Sequence, residues 1–232
     1  MLDGAEGRHA TTVRRLGPGE HVDLTDGAGT MASCVITAAR PGVLDLTVLE
    51  RVYQPAPVPR ITVVQAIPKG DRGELAVETM TEVGVDVVVP WTAERCVVRW
   101  RGDKAAKGAA RWRSTAVAAA KQSRRSWLPE ITEPASTAEV ASRIAAIVAD
   151  GTGLAVLLDP DARQALPAVA GARGLTEIVL LVGPEGGIAP EETAVLAAAG
   201  GVGVRLGPTV LRASSAGAIA AALVMTAAGR WD

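Results

Sequence analysis

The pattern of apolar and polar residues changes once along the chain, at a group of closely spaced prolines. Ahead of them, short runs rich in β-branched residues lie between glycine and proline turns, at 20–26, 32–37 and 43–52. Runs of this length and spacing are typical of a small β-barrel or sandwich. Pro55, Pro57 and Pro59 fit neither a helix nor a central strand and predict a stiff linker. We therefore expect one domain over 1–56 and a second over 60–232.

After the prolines the pattern alternates between strand and helix. Aliphatic runs predict strands at 61–67, 85–90, 154–158, 178–182 and 202–206. Helical spacing or composition predicts helices at 74–83, 105–123, 137–148 and 214–228. Strands that alternate with helices indicate an α/β fold with a mostly parallel sheet.

Two of the predicted strands run directly into glycine-containing loops, in VLLVGPEGG (179–187) and RLGPTVLR (205–212). A short aliphatic run bounded by turn residues predicts a strand covered on both faces. Because α/β sheets bind ligands at the carboxyl ends of their strands, the two loops predict a pocket built from backbone groups. The sequence excludes a phosphate loop, which needs Gly-Lys-Ser/Thr, and the GxGxxG dinucleotide motif. Taken alone, GPEGG fits a tight strand-to-helix turn equally well.

Composition narrows the class of protein further. The chain has 232 residues, 48% of them hydrophobic, with no Phe and one Tyr, so its core must be Val, Leu, Ile and Ala. Cys34, Cys96, His9 and His21 form no ligand spacing, which predicts reduced thiols and no metal site. The longest apolar stretch, 216–228, is too short to cross a bilayer, and the N-terminus lacks an apolar signal core. We expect a soluble cytoplasmic protein.

Charge is distributed unevenly. The formal net charge of −1 argues against a nucleic-acid partner, yet residues 95–125 carry ten Lys/Arg against one acid, Asp103. Trp100, Trp112 and Trp127 are interleaved with these charges. Cations with aromatics among them suit phosphate neutralisation and base stacking, which predicts RNA binding. The alternative is a solvated helix face with half-buried tryptophans.

Taken in order, these motifs resemble one family. GPEGG, the acidic pair Glu191 and Glu192, LGPTVLR and the alanine-rich last helix are similar to the 16S ribosomal RNA uracil-N3-methyltransferase family. The same resemblance covers DGAG (26–29), KGDR (69–72), TEVG (81–84) and QSR (122–124). The family belongs to the SPOUT class, so the resemblance implies a C-terminal trefoil knot behind a PUA-like barrel that holds RNA. Family members usually carry further residues ahead of the segment at Gly7-Arg8-His9, so we expect a truncated N-terminal domain or a start codon placed too late.

The resemblance implies methyl transfer from S-adenosylmethionine to N3 of a uridine in 16S rRNA, by a homodimer that pairs through helix 214–228. The expected cofactor-binding residues are Leu158, Val182, Gly183, Pro184, Glu185, Gly186, Gly187, Leu206, Gly207 and Leu211. The expected RNA-binding residues are Lys69, Arg72, Arg113, Lys121, Arg124 and Arg125. Arg212 is the expected catalytic residue, because a fixed cation would stabilise the uracil anion. Alternatively, Arg212 forms an ion pair with Glu185 or Glu191, and Glu185 caps the following helix or acts as a base.

The chain departs from the family pattern on the substrate side. Ala213-Ser214-Ser215-Ala216 stands where a Thr-Glu-Thr-Ala-like run is usual, which removes a carboxylate that could act as general base. Lys121 replaces an acidic residue. Two other functions stay open: a SPOUT methyltransferase acting on tRNA or on a ribose hydroxyl, and a noncatalytic RNA-binding assembly factor.

Overall fold

The computed structural model describes residues 1–171 and 174–231 and divides the chain into two compact units, Met1–Ala56 and Pro57–Asp232. Across the described residues, none of the helices combines the length and the apolarity needed to cross a membrane.

The first unit is built on a three-stranded antiparallel sheet. Helix α1 (Gly4–Arg8) and a π-helical turn (His9–Val13) precede strands β1 (His21–Thr25), β2 (Thr30–Arg40) and β3 (Val43–Tyr53). The strands pair in the order β1-β2-β3. In the β1–β2 turn, Asp26 accepts the N–H groups of Ala28 (2.7 Å) and Thr30 (3.0 Å), and these bonds lower the pKa of its carboxyl. Ala10, Ile36 and Leu44 form a small core.

The second unit alternates strands with helices along its length. Its strands are β4 (Arg60–Ala66), β5 (Val87–Trp91), β6 (Glu130–Ile131), β7 (Gly153–Leu158), β8 (Glu177–Val182) and β9 (Val202–Val204). Its helices are α2 (Arg72–Val83), α3 (Asp103–Gln122), α4 (Thr137–Val148), α5 (Leu166–Ala170), α6 (Pro190–Ala198) and α7 (Ala213–Ala227). The predicted α/β class is therefore confirmed.

All six strands run parallel, in the order β6-β5-β4-β8-β7-β9. The chain builds outward from β4 to β6, returns at β7 on the other side, and inserts β8 between β7 and β4. Strand order thus reverses beside β4 and β8, and such a switch point is where open α/β sheets bind ligands. The trefoil knot implied by the resemblance stays a prediction.

Two apolar layers enclose this sheet. One contains Ile61, Val63, Met80, Leu180 and Val224, and the other contains Val64, Val89, Trp91, Ile144 and Leu181. Helix α7 reaches the first layer through Gly217, where an added Cβ would lie 2.9 Å from the Met80 sulfur. An added Cβ would also lie 3.3 Å from Cγ1 of Val63 in β4, so the absence of a side chain at Gly217 helps α7 pack closely against α2 and the sheet.

The observed elements follow the apolar pattern closely. Helix α4 begins at the predicted Thr137, because Ser136 and Glu139 form a reciprocal capping box at its N-terminus. The predicted last strand, 202–206, is shorter in the structure and ends at Val204. The two-residue strand β6 and the short helix α5 had no predicted counterpart, because such short segments carry no readable periodicity.

Candidate functional site

The carboxyl ends of the parallel strands share one edge of the sheet, which we call the carboxyl edge. It is formed by the loops that follow Ala66 in β4, Leu158 in β7, Val182 in β8 and Val204 in β9. The structure therefore brings the KGDR, GPEGG and LGPTVLR motifs to the same side of the sheet, as expected for a ligand site.

The loop after β8 is shaped by its glycines. Gly187 donates its N–H to the Pro184 carbonyl (2.9 Å), which closes a turn, and its φ of +76° favours glycine. At Gly183 an added Cβ would lie 2.7 Å from Cγ1 of Ile188, so a side chain does not fit there. The turn interpretation of GPEGG is thus correct, and it leaves Glu185, Gly186 and Gly187 exposed on the carboxyl edge.

A second segment holds this loop from outside. Arg95, which lies between β5 and α3, donates from Nη1 to the Gly186 carbonyl (2.9 Å). One residue earlier, the backbone N–H of Glu94 donates to Oε1 of Glu192 (3.0 Å), and the Thr137 hydroxyl donates to the same oxygen. Glu192 is only 7% exposed. Its buried carboxylate therefore connects its own helix α6 to the segment that contains Glu94 and to the start of α4.

Glu192 also takes the capping role that was considered for Glu185. Its Oε2 accepts the N–H of Ala189 (3.4 Å) at the start of α6. Ala189 has no side-chain acceptor, so only the glutamate half of a capping box exists here. Glu185 instead pairs with Arg72 across the carboxyl edge (3.4 Å). The sequence signal for this capping role was a glutamate at the third position of α6, two residues after Pro190. The resemblance used Glu192 only as one member of an acidic pair.

The loop after β9 leaves its backbone open. Within the described chain, the N–H and C=O groups of Leu206–Leu211 form no hydrogen bond with other backbone groups. An added Cβ at Gly207 would have no protein atom within 4 Å, so internal packing does not require glycine there. A ligand that approaches the backbone would require it.

Apolar side chains adjoin these free backbone groups. Leu158, Leu206 and Leu211 are half-buried against the core, and Val182 is buried. Opposite Val182 in the sheet lies the buried Gln65, whose Nε2 donates to the Ala66 carbonyl while its Oε1 has no partner in the described residues. Unpaired backbone groups beside aliphatic walls fit a nucleoside, which has polar edges and apolar faces. The residues present therefore fit the adenosine half of S-adenosylmethionine.

Arg212 lies at the start of α7, directly after this loop, and is exposed. Among the described residues, no carboxylate lies within ion-pair distance of it, so the alternative pairing with Glu185 or Glu191 is not formed. Its guanidinium is thus available to a substrate. Lys69 and Arg72 follow β4 on the same edge, and both are exposed.

In the basic segment, residues 95–125, two of the predicted RNA-binding residues form contacts within the protein instead. Arg125 is only 12% exposed and donates to the carbonyls of Thr81 (3.0 Å) and Val85 (2.7 Å). Burial lowers the pKa of its guanidinium, an effect that nearby Asp86 opposes. The RNA contact predicted for Arg125 is corrected to a structural role. Arg113 donates to the Ile131 carbonyl (3.1 Å) and pairs with Glu133, which offsets its charge.

The remaining predicted residues of the basic segment are more open, whereas its tryptophans are not. Lys121 and Arg124 are exposed near the C-terminal end of α3. Trp112 is 1% exposed and packs edge-to-face with half-buried Trp100, their ring centroids 5.0 Å apart. Burial of Trp112 excludes it from base stacking, and this residue is more deeply buried than the half-buried tryptophans of the alternative interpretation.

The described part of the chain holds no group of three His, Cys, Asp or Glu side chains placed to bind a metal ion. Burial raises the pKa of the Cys96 thiol, so this side chain stays protonated and uncharged.

Comparison with known proteins agrees with this fold. The family described as RNA methyltransferase domain matches residues 54–225, and the family described as RNA methyltransferase PUA domain matches residues 2–49. The chain is thus an RNA methyltransferase by class, with a PUA-like domain ahead of the methyltransferase domain.

Individual relatives define the family. Ribosomal RNA small subunit methyltransferase E of Mycobacterium tuberculosis is 46% identical over 232 residues, which cover 100% of this chain and 88% of the relative. The Bacillus subtilis protein of the same name is 28% identical over 93% of the chain and 85% of the relative. A crystal structure of the Neisseria gonorrhoeae protein of that name, bound to S-adenosyl methionine, superposes with a TM-score of 0.84 at 27% identity, covering 97% of this chain and 90% of that one. The chain belongs to the ribosomal RNA small subunit methyltransferase E family.

Proposed function

We propose that this protein transfers a methyl group from S-adenosylmethionine to N3 of a uridine in the 16S rRNA of the small ribosomal subunit. The observation that carries the proposal is the carboxyl edge of a chain of this family. Two glycine-containing loops lie on this edge, together with backbone groups and an arginine that have no partner among the described residues.

The cofactor would bind across the loops after β8 and β9. Exposed Glu185–Gly187 and the unpaired backbone of Leu206–Leu211 would hold its polar groups, and Leu158, Leu206 and Leu211 would contact its apolar faces. S-adenosylmethionine supplies a methyl group on a positively charged sulfur, which is already a strong electrophile. What the protein must add is alignment of the attacking atom with that methyl group.

Arg212 would lower the cost of forming the nucleophile. Uracil N3 carries a proton and attacks poorly until that proton passes to solvent, and the resulting anion places negative charge on the neighbouring oxygens. A fixed cation beside those oxygens stabilises the anion. Arg212 is suited to this position, since it follows the second loop and has no carboxylate partner in the described chain.

The active form would be a homodimer that pairs through α7. One face of this helix is buried on the sheet, while Ile219 (40% exposed) and Leu223 (38% exposed) lie one turn apart on its open face. Two apolar side chains at this spacing form a stripe that a second copy of the helix would cover. Light scattering of the wild type at micromolar concentration should give twice the chain mass, and Ile219→Ser/Leu223→Ser should give a monomer. A fully active wild-type monomer would contradict the dimer.

Mass spectrometry of small-subunit rRNA tests the reaction itself. Deletion of the gene should remove one methyl group from a uridine, and adding the purified protein with S-adenosylmethionine to subunits from the deletion strain should restore it. Loss of a ribose methyl or a tRNA methyl would assign another substrate. Unchanged RNA together with no cofactor binding in calorimetry would identify a noncatalytic factor.

A further inference from the structure

A cleft of about 430 Å³ lies beside the first half of α3. Among the described residues, four cationic side chains line the cleft and no carboxylate does. They are Arg99 from the segment before the helix, and Lys104, Lys107 and Arg111 from α3 itself. We call this feature the basic cleft. All four cations lie in the basic segment predicted to bind RNA, but none of them was among the individually named RNA-binding residues.

Most of the charge in the basic cleft is not offset by the protein. Arg111 pairs with Glu74 (3.0 Å), whereas Arg99 has no carboxylate partner in the described chain and donates to the carbonyl of Glu94 (2.9 Å). Lys104 and Lys107 have no carboxylate within ion-pair distance in the described chain. These lysines are three residues apart on one helix face, in the first turns of α3, where the helix dipole is also positive. An anion bound here would relieve their mutual repulsion.

The floor of the cleft is fixed by packing. An added Cβ at Gly108 would lie 2.5 Å from the Trp100 ring, so glycine alone lets the indole lie directly on the helix. Trp100 in turn packs edge-to-face against Trp112 in the core. The segment that carries Arg99 is therefore held against α3, and the cations surround a preformed surface.

The cleft also lies close to the carboxyl edge. Arg95, four residues before Arg99, donates to the Gly186 carbonyl of the cofactor loop. Four residues span at most about 14 Å, so the backbone at Arg99 lies within that distance of the backbone at Arg95. A strand of RNA held in the cleft would have its neighbouring nucleotides near the proposed methylation site.

We infer that the basic cleft binds the phosphodiester backbone of the substrate RNA next to the target nucleotide. The inference rests on the proposed function for the identity of the RNA. It places the direct contacts to RNA phosphates at the N-terminal half of α3. Lys121 and Arg124, near the other end of α3, contribute only to the long-range electrostatic attraction of the RNA.

Two double variants with equal charge loss test this assignment. Lys104→Gln/Lys107→Gln removes two cations from the cleft. Lys121→Gln/Arg124→Gln removes two exposed cations at and just beyond the C-terminal end of the same helix. Affinity for a labelled 16S rRNA transcript is measured by filter binding at about 50 to 300 mM salt. In this range, contacts to phosphate make the binding constant fall steeply with salt. Calorimetry with S-adenosylmethionine reports whether each variant keeps the cofactor site.

The cleft variant should lose affinity about tenfold near 0.15 M salt, and its slope of log K against log salt should be shallower by about 1.4–1.8. The far-end variant should lose less than about twofold. Both should bind S-adenosylmethionine as the wild type does. Equal losses in the two variants, or an unchanged slope in the cleft variant, would overturn the inference. A wild type that binds the transcript but methylates no small-subunit rRNA would instead contradict the proposed function.

Discussion

The carboxyl edge and the basic segment belong to the same unit, but they present different atoms to a ligand. The edge offers backbone groups and aliphatic side chains, around Gly183–Gly187 and Leu206–Leu211. The basic segment offers long charged side chains on a helix and on the segment before it. A site made of backbone depends on the fold of its own loop, whereas a site made of charges depends on which countercharges the fold brings near.

The ion pairs of the basic segment illustrate this dependence. Glu74, Asp86 and Glu133 lie outside residues 95–125, yet each pairs with an arginine inside it. The local excess of nine positive charges is therefore partly neutralised in the folded protein. The cations that keep their charge free lie mainly around the first half of α3, and sequence counting alone had no way to distinguish them.

The strongest way to break the backbone-built site is Gly187→Val. At φ +76° a β-branched residue is strained, and its side chain would project where the cofactor loop is exposed. We expect affinity for S-adenosylmethionine to fall by at least roughly 100-fold in calorimetry while the protein stays folded by circular dichroism. Gly151→Val is the control, since Gly151 has φ +75° and open space around it but precedes β7 at the opposite edge of the sheet. If Gly187→Val binds the cofactor normally, the loop after β8 is not part of the site.

Arg212→Ala tests the one charged residue at the carboxyl edge to which we assign a role in the reaction. Loss of a preorganised cation should lower kcat by about 10²–10³ with little change in cofactor affinity. Because the proposed nucleophile is the N3 anion, wild-type kcat should rise with pH above neutrality, and the variant should need a higher pH for the same rate. Arg60→Ala, an exposed arginine at the start of β4, should leave kcat unchanged. Cofactor affinity that falls in step with rate would make Arg212 a brace for the loop.

Arg125→Ala separates charge from function within the basic segment. Removal of this buried guanidinium leaves the carbonyls of Thr81 and Val85 without their donor, while Asp86 keeps its pair with Arg230. We expect the free energy of unfolding to fall by about 2–3 kcal/mol in urea titrations, and RNA affinity of the folded protein to stay the same. Arg124→Ala, at the exposed neighbour, should change stability by less than about 0.5 kcal/mol. An Arg125→Ala protein of normal stability that binds RNA weakly would restore the original assignment.

The difference between local patterns and contacts between distant residues also explains which features could be predicted from the sequence. Strand β8, helix α4 and the glycine loops follow from local apolar runs, caps and turn residues, and all three appear where the pattern indicated. Contacts between distant residues do not follow from such patterns. The Arg72–Glu185 pair spans 113 positions and arises only because β4 and β8 become neighbours. Glu192 appeared as part of a motif, and its burial among three segments became visible only in the folded protein.

Arg95→Ala sharpens the comparison with the smallest expected effect, because Arg95 is a cation of the basic segment that serves the carboxyl edge. Its side chain donates to the Gly186 carbonyl from an exposed position, and such a hydrogen bond contributes about 0.5–1.5 kcal/mol. If the bond holds the loop in its binding conformation, affinity for S-adenosylmethionine should fall by about 2- to 10-fold in calorimetry.

Arg99→Ala is the matched control, since Arg99 makes a bond of the same length to the carbonyl of Glu94 within its own segment. It should weaken RNA binding and leave cofactor affinity unchanged. Equal cofactor affinity in both variants would show that the loop keeps its shape through Gly183, Gly187 and Glu192 alone.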